Sequence, residues 1–189
     1  LASHHPPDAA TLAVLLKYRP VHRPVSHAIQ TTANGLTLDG KQLRVFSNPD
    51  PAEIPWSDVG AEIVVESSGR FTTKDKASRH LRKSVEHVII SAPSKDADIT
   101  VCMGVNENVL DASKHKIISN ASCTTNCLAP VAKVLHEKFG IKTGIMTTIH
   151  SYTTDQMIPD LPHTDPPRGP AAAPPLPPTT PRPAEPPAP

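Results

Sequence analysis

The segment Ser119-Asn120-Ala121-Ser122-Cys123-Thr124-Thr125-Asn126-Cys127 concentrates a thiol among small hydroxyl and amide residues. An apolar run, Lys116 to Ser119, precedes it, and apolar residues at helical spacing follow: Leu128, Val131, Val134, Leu135 and Phe139, ending at Gly140. Cys123 is thereby expected at or near a helix N-terminus. Unpaired amides and the helix dipole there favour an anion, which lowers a thiol pKa from its usual value of about 8.5 and makes a nucleophile. The same amides can hold an oxyanion or a phosphate. His150 stands 27 residues further on, at the end of the apolar run Ile145 to Ile149. If that run is a strand parallel to the first, strand–helix–strand connectivity brings both strand ends to one sheet edge, within reach for a nucleophile and its base. Spacing alone also admits a plainer reading, in which Cys123 is a small buried apolar residue and His150 merely ends a strand.

Cys127, one helical turn beyond Cys123, is expected to face the core. A Cys-x3-Cys metal site needs two further ligands, and the lone Cys102 does not supply them, so no metal is expected.

The elements that must position these residues alternate along the chain. Asp8 to Tyr18 carries Leu12, Leu15 and Leu16 at helical spacing. Leu36 and Leu38 face Leu43 and Val45 across Asp39-Gly40, the pattern and turn of a β-hairpin. Ala61 to Val65 reads as a buried strand, Thr73 to Leu81 as a helix capped by Thr72 or Thr73, and Val88–Ser91, Ile99–Val105 and Lys116–Ser119 as further strands. Pro130 either begins the regular part of the last helix or kinks it. Strands alternating with helices indicate an α/β fold with parallel pairs.

Composition narrows the function classes. The 189 residues carry 19 Lys and Arg against 18 Asp and Glu, a formal charge of +1, so no basic surplus exists to hold a nucleic-acid backbone. No apolar run approaches the roughly 20 residues of a membrane span, and Leu1 to Asp8 holds His and Pro where a secretory signal needs an apolar core. Three cysteines cannot all pair, which suits a reducing compartment; a cytoplasmic protein is expected. Of 23 prolines, fourteen fall between Pro159 and Pro189. A stretch such as Pro174-Pro175-Leu176-Pro177-Pro178 cannot be helix or central strand, so folded structure is expected to end near Met157, with a disordered or polyproline II tail beyond.

The residues themselves resemble a known family. Ser119 to Pro130 is similar to the active-site signature of phosphorylating glyceraldehyde-3-phosphate dehydrogenases. The likeness extends through Asp50-Pro51-Ala52-Glu53-Ile54-Pro55-Trp56, Val65-Glu66-Ser67-Ser68-Gly69, Ile89 to Asp96, Gly104-Val105-Asn106 and Met146 to Thr153. It implies a partial Rossmann-type NAD-binding domain over 1–121, the start of an α+β catalytic domain over 122–158, and a Pro-rich tail over 159–189. It further implies that Cys123 attacks the aldehyde of glyceraldehyde 3-phosphate with His150 as base, that hydride passes to NAD, and that inorganic phosphate cleaves the thioester. Ser122 and Thr124 would bind the attacking phosphate and Thr153 the substrate phosphate. Ser67, Ser68, Gly69, Ser91 and Ala92 would line the NAD site. A homotetramer is implied for the intact family member.

Two departures temper these expectations. The family's glycine-rich phosphate loop has no counterpart in these residues, so the resemblance implies a partial chain that begins at the second strand. In that register His5 occupies the place of the acidic residue that accepts from the adenosine ribose. Little or no turnover is therefore expected of the 189-residue chain. The alternatives are an inactive remnant, or a binding protein that presents Pro174-Pro175-Leu176-Pro177 as a polyproline II ligand.

Overall fold

The computed structural model describes residues 2–4, 9–18 and 28–151, with the backbone alone for 2–4. The chain divides into two compact units, at Gly140 and Ile141.

The first unit opens with strand β1 (Ala2–His4) and helix α1 (Ala9–Lys17). Strands β2 (Ile29–Thr32), β3 (Gly35–Leu38) and β4 (Lys41–Phe46) then form an antiparallel meander, and β1 joins β4 in parallel, giving the order β1-β4-β3-β2. The expected hairpin is present: Leu36 opposes Leu43, and Asp39 and Gly40 turn the chain with φ of 48° and 80°, the left-handed pair a two-residue hairpin demands. Gly35 meets a close approach, because a Cβ there would lie 2.1 Å from the Leu43 carbonyl oxygen. Leu12 of α1 packs with Leu36 and Leu43, so one helical stripe covers one sheet face. Strand β2 escapes the sequence patterning because Ile29 is its only large apolar residue, and only Ile29 is even half-buried.

A second sheet follows, in which every pair is parallel. Its strands are β5 (Ile63–Glu66), β6 (His87–Ile90), β7 (Ile99–Thr100) and β8 (Ile117–Ser119), in the order β5-β6-β8-β7. Helix α2 (Lys74–Ser78) lies between β5 and β6 in sequence, with Thr73 at its N-cap although the Thr73 side chain makes no capping bond. Ile54, Trp56, Val64, Ala77, Val85, Val88, Ile90 and Ile117 make the core of this half. Strand β5 starts two residues later than expected because the Ala61 amide is committed to the Trp56 carbonyl at the end of a 3-10 turn, Trp56–Val59. Strand β7 is cut short at Thr100. Beyond it, Asn106 accepts from the Cys102 amide (2.8 Å) and donates to the Thr100 carbonyl (3.0 Å), closing a turn in place of a ladder.

Helix α3 (Cys123–Phe139) starts five residues before its apolar stripe, contains Pro130, and ends on Gly140 in the left-handed region at φ 71°. Residues 141–151 carry no helix or strand, and Ile145 and Ile149 are each 100% exposed. The strand expected over Ile145–Ile149 is therefore absent: among the described residues no strand lies beside it, and an extended run without a ladder leaves its backbone to solvent. Met157 and the Pro-rich tail, with the Pro174–Pro177 motif, lie outside the described residues, as does His5. No helix is long and apolar enough to cross a membrane among the described residues.

Candidate active site

Parallel pairing sends the ends of β5, β6 and β8 to one edge of the sheet. Glu66 is in register with Ile90, and Ile90 with Ser119. The turns leaving these strands meet there: the Ser91 amide donates to the Glu66 carbonyl and the Asn120 amide to the Ile90 carbonyl, both at 2.9 Å. Ser67, Ser68 and Gly69, then Ser91 and Ala92, then Asn120 to Cys123 thus share the carboxyl edge, where open α/β sheets receive their ligands.

Each turn is held from beneath. Ser119 is fully buried; its hydroxyl donates to the Ala92 carbonyl (2.8 Å) and accepts from the Ala121 amide (3.1 Å), tying the second turn to the third. Ala121 has φ 58°, an uncommon conformation for a residue with a Cβ, and the bond from Ser119 holds it. The turn at 67–69 rests on Glu66, only 6% exposed, which accepts from both the amide and the hydroxyl of Ser68. Gly69 has φ 75°, and among the described residues no atom beyond its two chain neighbours lies within 4 Å of where its Cβ would stand.

Cys123 is the first residue of α3, as its sequence position implies, and it is exposed. Ser122 caps the helix, its Oγ accepting from the Thr125 amide at 3.0 Å and lying 2.8 Å from the Thr125 hydroxyl. The helix dipole places partial positive charge around Cys123 and Thr124 at this first turn. Asn126 donates to the carbonyls of Asn120 (2.7 Å) and Ser122 (2.9 Å), so one side chain ties the turn before the helix to the helix itself. The buried Cys102 thiol contacts Asn126 Oδ1 at 3.6 Å. Lys133 donates to the carbonyls of Gly104 and Val105, anchoring the next turns of α3.

Two expectations need correction. Cys127 is exposed rather than facing the core, because among the described residues no element covers the stripe that begins beside it, and no residue of α3 is buried. His150 does not end a strand; it is exposed in the irregular segment, with Nδ1 2.6 Å from the Ser151 carbonyl oxygen. A shared strand edge is therefore not what would bring His150 to Cys123. Thr153 lies outside the described residues.

Behind the edge sits a polar chain that motif reading missed. His80, 2% exposed, places Nε2 at 2.9 Å from Glu66 Oε2, and its Nδ1 accepts from Trp56 Nε1–H at 3.3 Å. Phe71 meets the His80 ring edge-on at 6.1 Å. Burial raises the Glu66 carboxyl pKa, but hydrogen bonds from His80 and Ser68 outweigh it and hold the group below its ordinary value. A sequence signal existed: Glu66 continues the inward alternation set by Val64, and a carboxylate at an inward strand position needs buried partners. Among the described residues no group of three or more His, Cys, Asp and Glu is arranged to hold a metal ion.

Comparison with known proteins points to a single family. Residues 4–74 match the sequence model of the glyceraldehyde 3-phosphate dehydrogenase NAD binding domain, and residues 122–186 that of the same family's C-terminal domain. The chain is 59% identical over 166 residues to glyceraldehyde-3-phosphate dehydrogenase 1 of Bacillus cereus, an alignment covering 88% of this chain and 50% of that protein. Identity to the enzyme of Geobacillus stearothermophilus is 54% over 173 residues, 92% of this chain and 52% of the other. For Thermotoga maritima it is 52% over 166 residues, 88% and 50%. The chain spans about half the length of the curated relatives it matches. With both domain models matched in order and identity above half, the chain belongs to the glyceraldehyde-3-phosphate dehydrogenase family.

Proposed function

We propose that this chain carries the nucleophile and the dinucleotide-facing edge of an NAD-dependent, phosphorylating glyceraldehyde-3-phosphate dehydrogenase of glycolysis. One observation carries the reading: an exposed cysteine opens a capped 17-residue helix on the same sheet edge as the turns at 67–69 and 91–92. Those turns, with the open backbone at Gly69, fit a dinucleotide laid along the carboxyl edge. Ser67, Ser68, Gly69, Ser91 and Ala92 are the residues that hold it. When bound, NAD supplies the acceptor for a hydride leaving the substrate carbon.

The chain's own residues do the rest. The Cys123 thiolate adds to the aldehyde carbon of glyceraldehyde 3-phosphate, forming a carbon–sulfur bond and a hemithioacetal. His150 takes the hydroxyl proton as the hydride departs, leaving a thioester on Cys123. Ser122 and Thr124 hold inorganic phosphate, whose oxygen attacks the thioester carbonyl. The carbon–sulfur bond then breaks, releasing 1,3-bisphosphoglycerate and restoring the thiolate. Thr153 holds the phosphate of the substrate. Assembly as a homotetramer and a cytoplasmic setting belong to the same reading.

Alkylation of the three thiols by iodoacetamide, followed by peptide mass spectrometry, tests the central claim. Cys123 is expected to react at least about tenfold faster than Cys102, and its reaction is expected to extend to lower pH in the folded chain than in urea. Equal rates, or the same pH profile in both states, refute an activated nucleophile.

A further inference from the structure

We infer that Glu66 is the positioning residue of the 67–69 turn, holding it in place through a buried Trp56–His80–Glu66–Ser68 hydrogen-bond chain of fixed direction. The inference rests on the reading of that turn as a dinucleotide contact. The direction follows from donor chemistry. An indole N–H can only donate, so His80 Nδ1, 3.3 Å from Trp56 Nε1, must be an acceptor without a proton. The proton of a neutral His80 therefore sits on Nε2 and is donated to Glu66 Oε2 at 2.9 Å. The other carboxylate oxygen, Oε1, accepts from the Ser68 amide at 2.7 Å and from the Ser68 hydroxyl. That hydroxyl in turn accepts from the Arg70 amide at 3.1 Å.

Both oxygens of Glu66 are thus committed as acceptors, and no donor-bearing replacement can serve both sides. Ionisation supports the same picture, since the carboxyl is held below its ordinary pKa by its His80 and Ser68 bonds. The chain is walled by apolar and aromatic side chains: Phe71 edge-on to His80, and Phe46 edge-on to Trp56 at 6.1 Å. Trp56, Glu66 and His80 are each less than 7% exposed, so water does not substitute for a lost partner. The chain fixes where the Ser68 amide and hydroxyl point, and the 67–69 turn that carries them lies on the ligand edge.

The test uses the whole 189-residue chain, labelled with nitrogen-15, and two variants. Glu66→Gln presents an amide NH2 either to Ser68 N–H or to His80 Nε2–H, donor against donor. It is expected to move the Ser68 and Gly69 amide resonances and to weaken NAD binding about tenfold. Adding Trp56→Phe removes the indole donor and frees His80 to carry its proton on Nδ1, so that the introduced side-chain amide can donate to Nε2. The double variant is expected to regain the wild-type Ser68 and Gly69 resonances and most of the lost affinity. A merely volumetric role for Trp56 gives the reverse, with the double variant worse than Glu66→Gln alone, and overturns the inference.

If the wild-type chain shows no NAD-dependent shifts, the dinucleotide reading fails. The hydrogen-bond chain then stands or falls on the resonances alone. Should Glu66→Gln not fold, two wild-type measurements decide. The His80 ring nitrogens are expected to report the Nε2–H tautomer, and the Ser68 amide to exchange at least about tenfold more slowly than Gly69. An Nδ1–H tautomer or a fast Ser68 amide overturns the proposal.

Discussion

The carboxyl edge of the parallel sheet and helix α3 invert the usual relation between polarity and burial. At the edge, Glu66, His80 and Ser119 are polar and buried. Along α3, Leu128, Val131, Val134, Leu135 and Phe139 are apolar and exposed. Polar groups can be buried at the edge because partners await each of them: two Ser68 donors and His80 for Glu66, Trp56 for His80, Ala92 and Ala121 for Ser119. Apolar groups stay exposed on α3 because, among the described residues, no element lies over their stripe. Amphipathic spacing supplies a face; only a neighbouring element supplies its burial.

If this contrast is one of partners, substitutions in the two regions differ sharply in cost. The largest effect is expected for Ile90→Ala, in the centre of the parallel sheet and 0% exposed, at about 3 kcal/mol in urea unfolding. A cost below about 1 kcal/mol would mean that this core is loosely packed. Ser119→Ala comes next. It leaves the Ala92 carbonyl and the Ala121 amide without their bonds, at about 2 kcal/mol, and quickens hydrogen exchange at Ala121. Unchanged exchange would show that the second and third turns do not depend on this hydroxyl.

Acid sharpens the comparison further. The Glu66 carboxyl, raised by burial but lowered more by His80 and Ser68, has a folded pKa below its unfolded one. Asp98 behaves alike: Lys74 and the amides of Ile117 and Lys116 outweigh its desolvation. Both groups therefore stabilise the fold fully above the ordinary carboxylate range of about 4, and this contribution disappears as pH falls through the lowered folded values. Thermal unfolding between pH 7 and 3 is expected to show a steep acid limb, flatter in Asp98→Asn. An acid limb identical in that variant would place the titration elsewhere. The smallest effect is expected on the helix, where Val134→Lys, at a 56% exposed site, changes stability by less than about 0.5 kcal/mol. A loss above about 2 kcal/mol would reveal a covering element for α3.

The sequence by itself determined the local elements with strong signals. The hairpin over Leu36 to Val45 follows from alternation and an Asp-Gly turn, and the N-terminal position of Cys123 from its place between an apolar strand run and a helical stripe. The family follows from the run Ser119 to Pro130 and its companions, since side-chain identity in a motif is legible without coordinates. What depended on distant partners was decided only by the tertiary structure. Strand β7 stops at Thr100 because Asn106 captures the backbone; among the described residues, Cys127 is exposed because no element covers α3, and Ile145 to Ile149 is no strand because no ladder flanks it. The direction of the Trp56–His80–Glu66 chain was equally hidden. Its two links join residues 24 and 14 positions apart, whose donors and acceptors meet only after β5 and the segments on either side of it have packed.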